Sequence, residues 1–275
     1  MRLVSFTHGL QPGAGIISGD GVIDVARAGL PPDLGGLLRE WEKYREPLEE
    51  AAGLPVDTPL AEVEVDLPFV PNRILGTGGN YSDHLTEMAV GAPDTPSAFL
   101  KLPGAELGPG QPLALGPTDQ HVDYEGEIAL VIGRTARDLS PENAPSAIAG
   151  LMLANDISAR DVAMPHAALA KGHRGFCPLG PMVVTTDELD LEDITFTVSV
   201  NGERRQNGHT GSLIHSFASI VASYSRALSL EPGDVILTGT PAGVVVGRHP
   251  PLFLRAGDEV VVASPQLGVL RTPIR

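Results

Sequence analysis

The stretch His121-Val-Asp-Tyr-Glu-Gly-Glu-Ile-Ala-Leu-Val-Ile-Gly133 decides how this chain folds. From Ile128 it is an apolar run of strand length, and two acids, Glu125 and Glu127, interrupt its start. Side chains alternate between the faces of a strand, so Glu125 and Glu127 point one way while Ile128, Leu130 and Ile132 point the other. Two carboxylates at that spacing repel unless positive charge sits between them, and a divalent cation is the common remedy. A third acid, Asp156, ends a second apolar run in Leu151-Met-Leu-Ala-Asn-Asp156-Ile-Ser-Ala-Arg-Asp161. Three carboxylates with no Cys or His among them favour a hard ion, Mg²⁺ or Mn²⁺. Taken alone, Glu-Gly-Glu also reads as a solvated face or a charged edge.

Outward from that strand, the chain is punctuated by 32 Gly and 25 Pro spread along its 275 residues, as many short strands require. Strand-like segments recur at Ala98 to Leu102, Gly150 to Ala154, Pro181 to Thr185, Ile194 to Val200, Asp234 to Thr238 and Glu259 to Ala263. Asn201-Gly202 signals a tight hairpin. Phe217, Ile220, Val221, Tyr224 and Leu228 recur at helical spacing until Glu231-Pro-Gly-Asp234 stops the run. The fold class is therefore β-rich mixed α/β. Residues 1–65 are expected to form a small N-terminal domain, with strands at Leu3 to Thr7, Ala14 to Ser18 and Val22 to Val25. A helix from Leu34 to about Ala52 is expected to be interrupted or kinked at Pro47. Residues 66–275 make the large domain, entered through the proline-rich Leu67 to Arg73.

Acids outnumber Lys and Arg by 34 to 19, a net charge of -15, which opposes binding to nucleic acid or anionic lipid. No stretch reaches the roughly 18 apolar residues of a membrane-spanning helix, and the N-terminus lacks a signal-like apolar core, so a soluble, cytoplasmic protein is expected. A single cysteine, Cys177, fits a reducing compartment, and its apolar setting argues against a nucleophile.

Other reactive groups gather in polar connections. In Gly76-Thr-Gly-Gly-Asn-Tyr-Ser-Asp-His-Leu-Thr-Glu-Met88, a short helix capped by Ser82 would set His84 and Glu87 on one face. A carboxylate beside an imidazole suits a water-activating base, although the same pair also reads as an ordinary surface contact. Arg160 and Asp161 are spaced for a local ion pair that holds the loop after Asp156. Lys101 reads equally as a strand-end charge or as a group that approaches the site.

Seven segments occur in order: Gly-Asn-Tyr-Ser-Asp-His-Leu-Thr-Glu-Met88, Phe-Leu-Lys101, Val-Asp-Tyr-Glu-Gly-Glu-Ile-Ala-Leu-Val-Ile-Gly133, Asn-Asp-Ile-Ser-Ala-Arg-Asp161, Lys171 with Phe-Cys-Pro-Leu-Gly-Pro181, Val-Asn-Gly-Glu-Arg-Arg-Gln206 and Leu-Thr-Gly-Thr-Pro-Ala-Gly243. Together, from about residue 70 onward, they resemble the fumarylacetoacetate hydrolase family, in its branch of acylpyruvases, fumarylpyruvate hydrolases and hydroxyheptadienedioate isomerases. The resemblance implies a β-sandwich roll, a homodimer, and Mg²⁺ or Mn²⁺ held by Glu125, Glu127 and Asp156. It implies a catalytic dyad of His84 and Glu87, a polarising cation at Lys171, and substrate contacts from Gln206 and Thr240. The activity it implies is metal-dependent cleavage of a carbon–carbon bond in a 3-acylpyruvate, giving pyruvate and a carboxylic acid, as in aromatic catabolism. Isomerisation or tautomerisation of hydroxymuconate-type diacids, and decarboxylation of oxaloacetate, are the alternatives; a silent, metal-dependent keto-acid binder is the non-enzymatic one. Where many relatives have Lys-Ser-Phe-Asp, this chain has Lys171-Gly-His-Arg174. Arg174 would then either pair with a substrate carboxylate or face solvent, and His166 and His173 are further pocket candidates. The segment Val162 to His173 reads as a possible lid.

Overall fold

The Glu-Gly-Glu segment leads into the strand Gly126–Ile132, every residue of which is buried. The structure, a computed structural model, describes residues 1–116, 120–162 and 167–275. The strand lies inside a twelve-stranded sheet, between Ile148–Asn155 and Val235–Leu237. Ile128, Leu130 and Ile132 enter one apolar core. Ala129 and Val131 enter a second core on the opposite face, as the period of two demands. Covering both faces is what makes the sequence a near-continuous apolar run rather than an alternating one.

The first core is shared with a four-stranded antiparallel sheet in the order Glu203–His209, Thr195–Val200, Glu259–Ser264, Gly268–Pro273. Val198, Val260 and Val262 from that sheet join Leu151 and Leu153 from the large one, so two sheets pack face to face. The expected Asn-Gly hairpin is present: Asn201 at φ 52° and Gly202 at φ 80° turn the chain between the first two strands of the small sheet. Left-handed backbone at both positions is the condition that this dipeptide meets best. The helix Phe217–Ala227 follows, with the Ser216 hydroxyl accepting from the Ser219 amide, and it buries Phe217, Ile220, Val221 and Tyr224.

The second core is closed by two helices, Leu34–Arg39 and Trp41–Ala51, which bury Leu34, Leu37, Leu38, Trp41 and Leu48. The break expected at Pro47 falls instead at Glu40, whose backbone (φ -112°, ψ 40°) leaves the helical region. Pro47 sits within the second helix. It forfeits one backbone bond, but burial of Leu48 and Ala51 holds the turn that follows it. The first strand, Arg2–His8, pairs with Cys177–Thr185 through Leu3 opposite Val183. Residues before 65 thus extend the large sheet, adding Gln11–Ser18 and Gly21–Asp24 beyond it. At the other end the sheet finishes with Ile74–Gly78 and Ser97–Lys101. Among the described residues no helix is long and apolar enough to cross a membrane.

Candidate metal centre and active site

Glu125 and Glu127 flank the first residue of the central strand, and Gly126 pairs with Asn155, the last residue of its neighbour. That register brings Asp156, one residue on, beside Glu125; the Asp156 amide donates to the Glu125 carbonyl at 2.7 Å. One carboxylate oxygen from each of Glu125, Glu127 and Asp156 lies within 4.8 Å of the others. The three acids are 5%, 2% and 1% exposed, so this is neither a solvated face nor an edge device. They line a cavity of about 360 Å³ together with His84, Phe99, Lys171 and Thr240.

Three cations approach the acids. The Lys171 ammonium, at the end of the helix Ala167–Lys171, donates to Glu125 and to Asp156 at 2.6 Å each. Lys101 reaches the other oxygen of Asp156 from the end of its strand and also donates to the Phe176 carbonyl at 2.6 Å. Arg160 bridges Asp123, at 3.0 Å from its Nε, and Glu125. Burial opposes ionisation of Glu125, yet Lys171 and Arg160 outweigh it and hold the carboxyl well below its ordinary range. Burial acts against the Lys171 ammonium too, but Asp156 and Glu125 keep it charged and raise its pKa. Glu127 differs. Burial, then the charges of Asp156 and Glu125, push its pKa well up, and its one hydrogen-bond donor among the described residues is the Gly239 amide at 2.7 Å. Gly239 adopts φ 98°, a conformation open to glycine, to aim that N–H inward.

This pattern fits a hard divalent ion. An ammonium already stands between Glu125 and Asp156, whereas Glu127, whose charged form burial and those two acids disfavour, contacts no cationic side chain among the described residues.

His84 and Glu87 occupy the helix Ser82–Glu87 as expected, but Ser82 is its first residue and not its cap; the cap position is Tyr81, whose side chain makes no capping bond. The Ser82 carbonyl accepts from the Thr86 hydroxyl instead. His84 Nδ1 lies 3.5 Å from Glu87 Oε2 and is buried without a hydrogen bond. The Gly243 amide fixes Glu87 at 3.1 Å from both oxygens. Glu87 therefore stands behind His84, and His84 faces the cavity.

Thr240 reaches the cavity wall, its hydroxyl donating to the Gly126 carbonyl at 2.9 Å. Gln206 stands one layer back. Its amide accepts from the Gly126 N–H at 3.0 Å and donates to Thr240 at 2.8 Å and to the Pro241 carbonyl at 2.7 Å. Its side-chain bonds fasten Gly126 to Thr240 and Pro241.

One expectation about neighbouring charges needs correction, and one open alternative is decided. Arg160 does not pair with Asp161, because adjacent side chains diverge; Asp161 instead binds His121 through its backbone N–H at 2.8 Å and through its imidazole. Arg174 is exposed, whereas His173 stacks on Phe176 with ring centroids 4.5 Å apart. His166, and with it part of the expected lid, lies outside the described residues. Sequence reasoning left Lys101 undecided and missed the pairing of Arg160 with Glu125. Phe-Leu-Lys101 in a strand otherwise apolar was the available signal for the first.

Cys177 is fully buried, and burial raises its thiol pKa to about 12. A raised thiol pKa contributes stability below the ordinary value near 9, and that contribution is lost as pH rises through about 12. Native protein at pH 8 is therefore expected to resist a thiol-titrating disulfide reagent, with one equivalent reacting after denaturation. Rapid reaction of the folded protein would contradict this burial.

Residues 73–275 match the family described as fumarylacetoacetate (FAA) hydrolase C-terminal. The chain belongs to the fumarylacetoacetate hydrolase family. Within this family of enzymes, a Bos taurus relative described as a mitochondrial oxaloacetate tautomerase is 37% identical over 284 residues, spanning 98% of this chain and 90% of the relative. The fold superposes on a fumarylacetoacetate hydrolase from Exiguobacterium antarcticum with a TM-score of 0.86 and 33% identity, covering 100% and 99% of the two chains. It also superposes on a maleylpyruvate hydrolase from a Sphingobium species, solved with manganese(II) and pyruvate, with a TM-score of 0.82 and 28% identity, covering 100% and 98%. As a fumarylacetoacetate hydrolase family member, the chain has the β-rich sandwich that the motifs implied.

Proposed function

We propose that this protein is a divalent-metal-dependent enzyme of 2-oxo acids that moves a proton between carbon and oxygen, as a tautomerase or isomerase acting on a short dicarboxylate such as oxaloacetate. The observation that carries this reading is the convergence of Glu125, Glu127, Asp156, Lys171 and His84 on one cavity. The 37% identity to an oxaloacetate tautomerase supports the choice of reaction.

Mg²⁺ or Mn²⁺ held by the three carboxylates would polarise the carboxylate and keto oxygens of a 2-oxo acid as a Lewis acid. Lys171 keeps a positive charge at the wall where oxygen gains electron density, and its two carboxylate bonds fix its place. His84 takes the proton from the carbon next to the keto group and returns it to the enol oxygen. Glu87, held by the Gly243 amide, favours the imidazolium that forms in between. Thr240 and Phe99 border the remaining space.

Hydrolysis is the second reading, favoured by one feature: His84 backed by Glu87 is also the arrangement that removes a proton from water. Hydroxide would then attack the distal carbonyl of a 3-acylpyruvate, and cleavage would give pyruvate and a carboxylic acid.

Following the enol absorbance of oxaloacetate and of an acylpyruvate panel including fumarylpyruvate, with either metal and with chelator, separates the two. Faster enol–keto exchange without release of pyruvate supports the tautomerase; metal-dependent pyruvate from an acylpyruvate supports hydrolysis; neither, with metal bound, refutes both. His84→Ala is expected to slow whichever reaction occurs by roughly 10²–10⁴-fold. An undiminished rate would remove His84 from proton transfer.

A further inference from the structure

A second cavity, of about 200 Å³, lies between the Asn201-Gly202 hairpin and the segment before the strand Glu259–Ser264. It shares no lining residue with the candidate active site. Its lining combines two arginines, Arg205 and Arg255, and one acid, Asp258, with Tyr124, Val200, Leu252 and Phe253. On a chain of net charge -15, a small cavity lined by two arginines against one acid runs against the overall balance.

The walls are held in place by hydrogen bonds. Asn201 Nδ2 donates to Asp258 at 2.8 Å, the Arg255 amide donates to the same carboxylate at 2.8 Å, and the Glu259 amide donates back to Asn201 at 2.9 Å. Asp258 is thereby occupied with hairpin and loop. The Arg205 side chain is only 11% exposed, and its partner Glu203 is 65% exposed, out towards solvent. No side-chain partner of Arg255 occurs among the described residues. Arg205 and Arg248 both bear on the Tyr124 phenol, drawing its pKa down against the larger effect of burial, which leaves it near 12. The phenol remains neutral at physiological pH and donates to the Gly243 carbonyl at 3.0 Å. The cavity thus backs onto Gly243, the residue that holds Glu87.

We propose that this cavity is a second ligand site, for a small carboxylate carried on an aromatic or branched apolar body. Guanidinium groups match a carboxylate in planar, paired geometry. Tyr124, Phe253 and Val200 supply the surface that an apolar body would cover, and the Asp258 carboxylate is already engaged by Asn201 and the Arg255 amide.

The test is calorimetric titration of benzoate into the full chain loaded with Mn²⁺ and saturating oxalate, with inorganic phosphate as the comparison probe. Benzoate is expected to bind with oxalate present, at least tenfold more tightly than phosphate. Affinity is expected to fall at least tenfold in Arg255→Gln, at an exposed position that the fold does not need, and in Arg205→Met, while Arg271→Gln leaves it unchanged. Equal binding by Arg255→Gln and the parent, complete competition by oxalate, or preference for phosphate would each overturn the proposal. Failure of oxalate to bind, read independently from Mn²⁺ relaxation, would count against the metal centre, whereas arginine-dependent benzoate binding would still support the second site.

Discussion

Glu127→Gln is expected to lose metal binding and to lower turnover by roughly 10²–10⁴-fold, the equivalent of the several kcal/mol that Lewis-acid stabilisation contributes. The same variant is expected to be more stable than the parent when both are metal-free. Glu127 is buried against Asp156 and Glu125, and its pKa is raised by burial first and by those two charges next. A raised carboxyl pKa contributes stability below its unfolded value, near 4.5, and loses it as pH rises through the folded value. In chelator at pH 8, the glutamine variant should therefore melt higher than the parent, with the gap narrowing as pH falls through the raised folded value and closed below the unfolded value near 4.5. Adding Mn²⁺ should reverse the order by stabilising the parent alone. A variant that is destabilised in chelator, or that still gains stability with metal, would contradict the assignment.

Lys101→Met is expected to destabilise the fold by about 3–5 kcal/mol, the cost of removing one partner from a buried ion pair. The Lys101 side chain is fully covered, bound to Asp156 and to the Phe176 and Ile157 carbonyls. Without it, one oxygen of Asp156 and the Ile157 carbonyl lose this buried donor, and the Phe176 carbonyl is left with the Ile157 amide at 3.1 Å. Lys43 offers the comparison: it also pairs with an acid, Glu40 at 2.7 Å, but both side chains are exposed. Lys43→Met should leave the urea midpoint nearly unchanged. A Lys101→Met midpoint equally unmoved would mean that Asp156 is positioned by other groups.

Much of the candidate site was legible because it obeys local rules. The alternation of the strand Gly126–Ile132 put Glu125 and Glu127 on one face, and the apolar run ending at Asn155 delivered Asp156 beside them. Asn201-Gly202 declared its turn because few dipeptides tolerate left-handed backbone twice in succession. What sequence concealed depends on contacts distant along the chain. Lys101 lies 55 residues from Asp156, and nothing near either residue specifies their meeting. Arg160 had a neighbour of opposite charge in Asp161, but its reach across the loop to Asp123 and Glu125 follows from the pairing of Val122–Asp123 with Ser158–Ala159. Gln206 carried a polar side chain in a functional-looking motif, and only the packing of the small sheet against Gly126 shows that its bonds secure the turn. The break at Glu40, and the tolerance of Pro47, likewise depend on Leu48 and Ala51 finding a core that the helix sequence does not contain.

Titration of the purified, chelator-stripped protein with Mn²⁺, counting free ion by its paramagnetic resonance signal, tests the metal centre most directly. Three buried carboxylates around one position should take up one ion per chain, with that uptake lost in Glu127→Gln and kept in Arg174→Ala, at the exposed position outside the cavity. Unchanged free Mn²⁺ in the presence of the parent protein, or uptake equal in the parent and Glu127→Gln, would contradict a metal site at Glu125, Glu127 and Asp156.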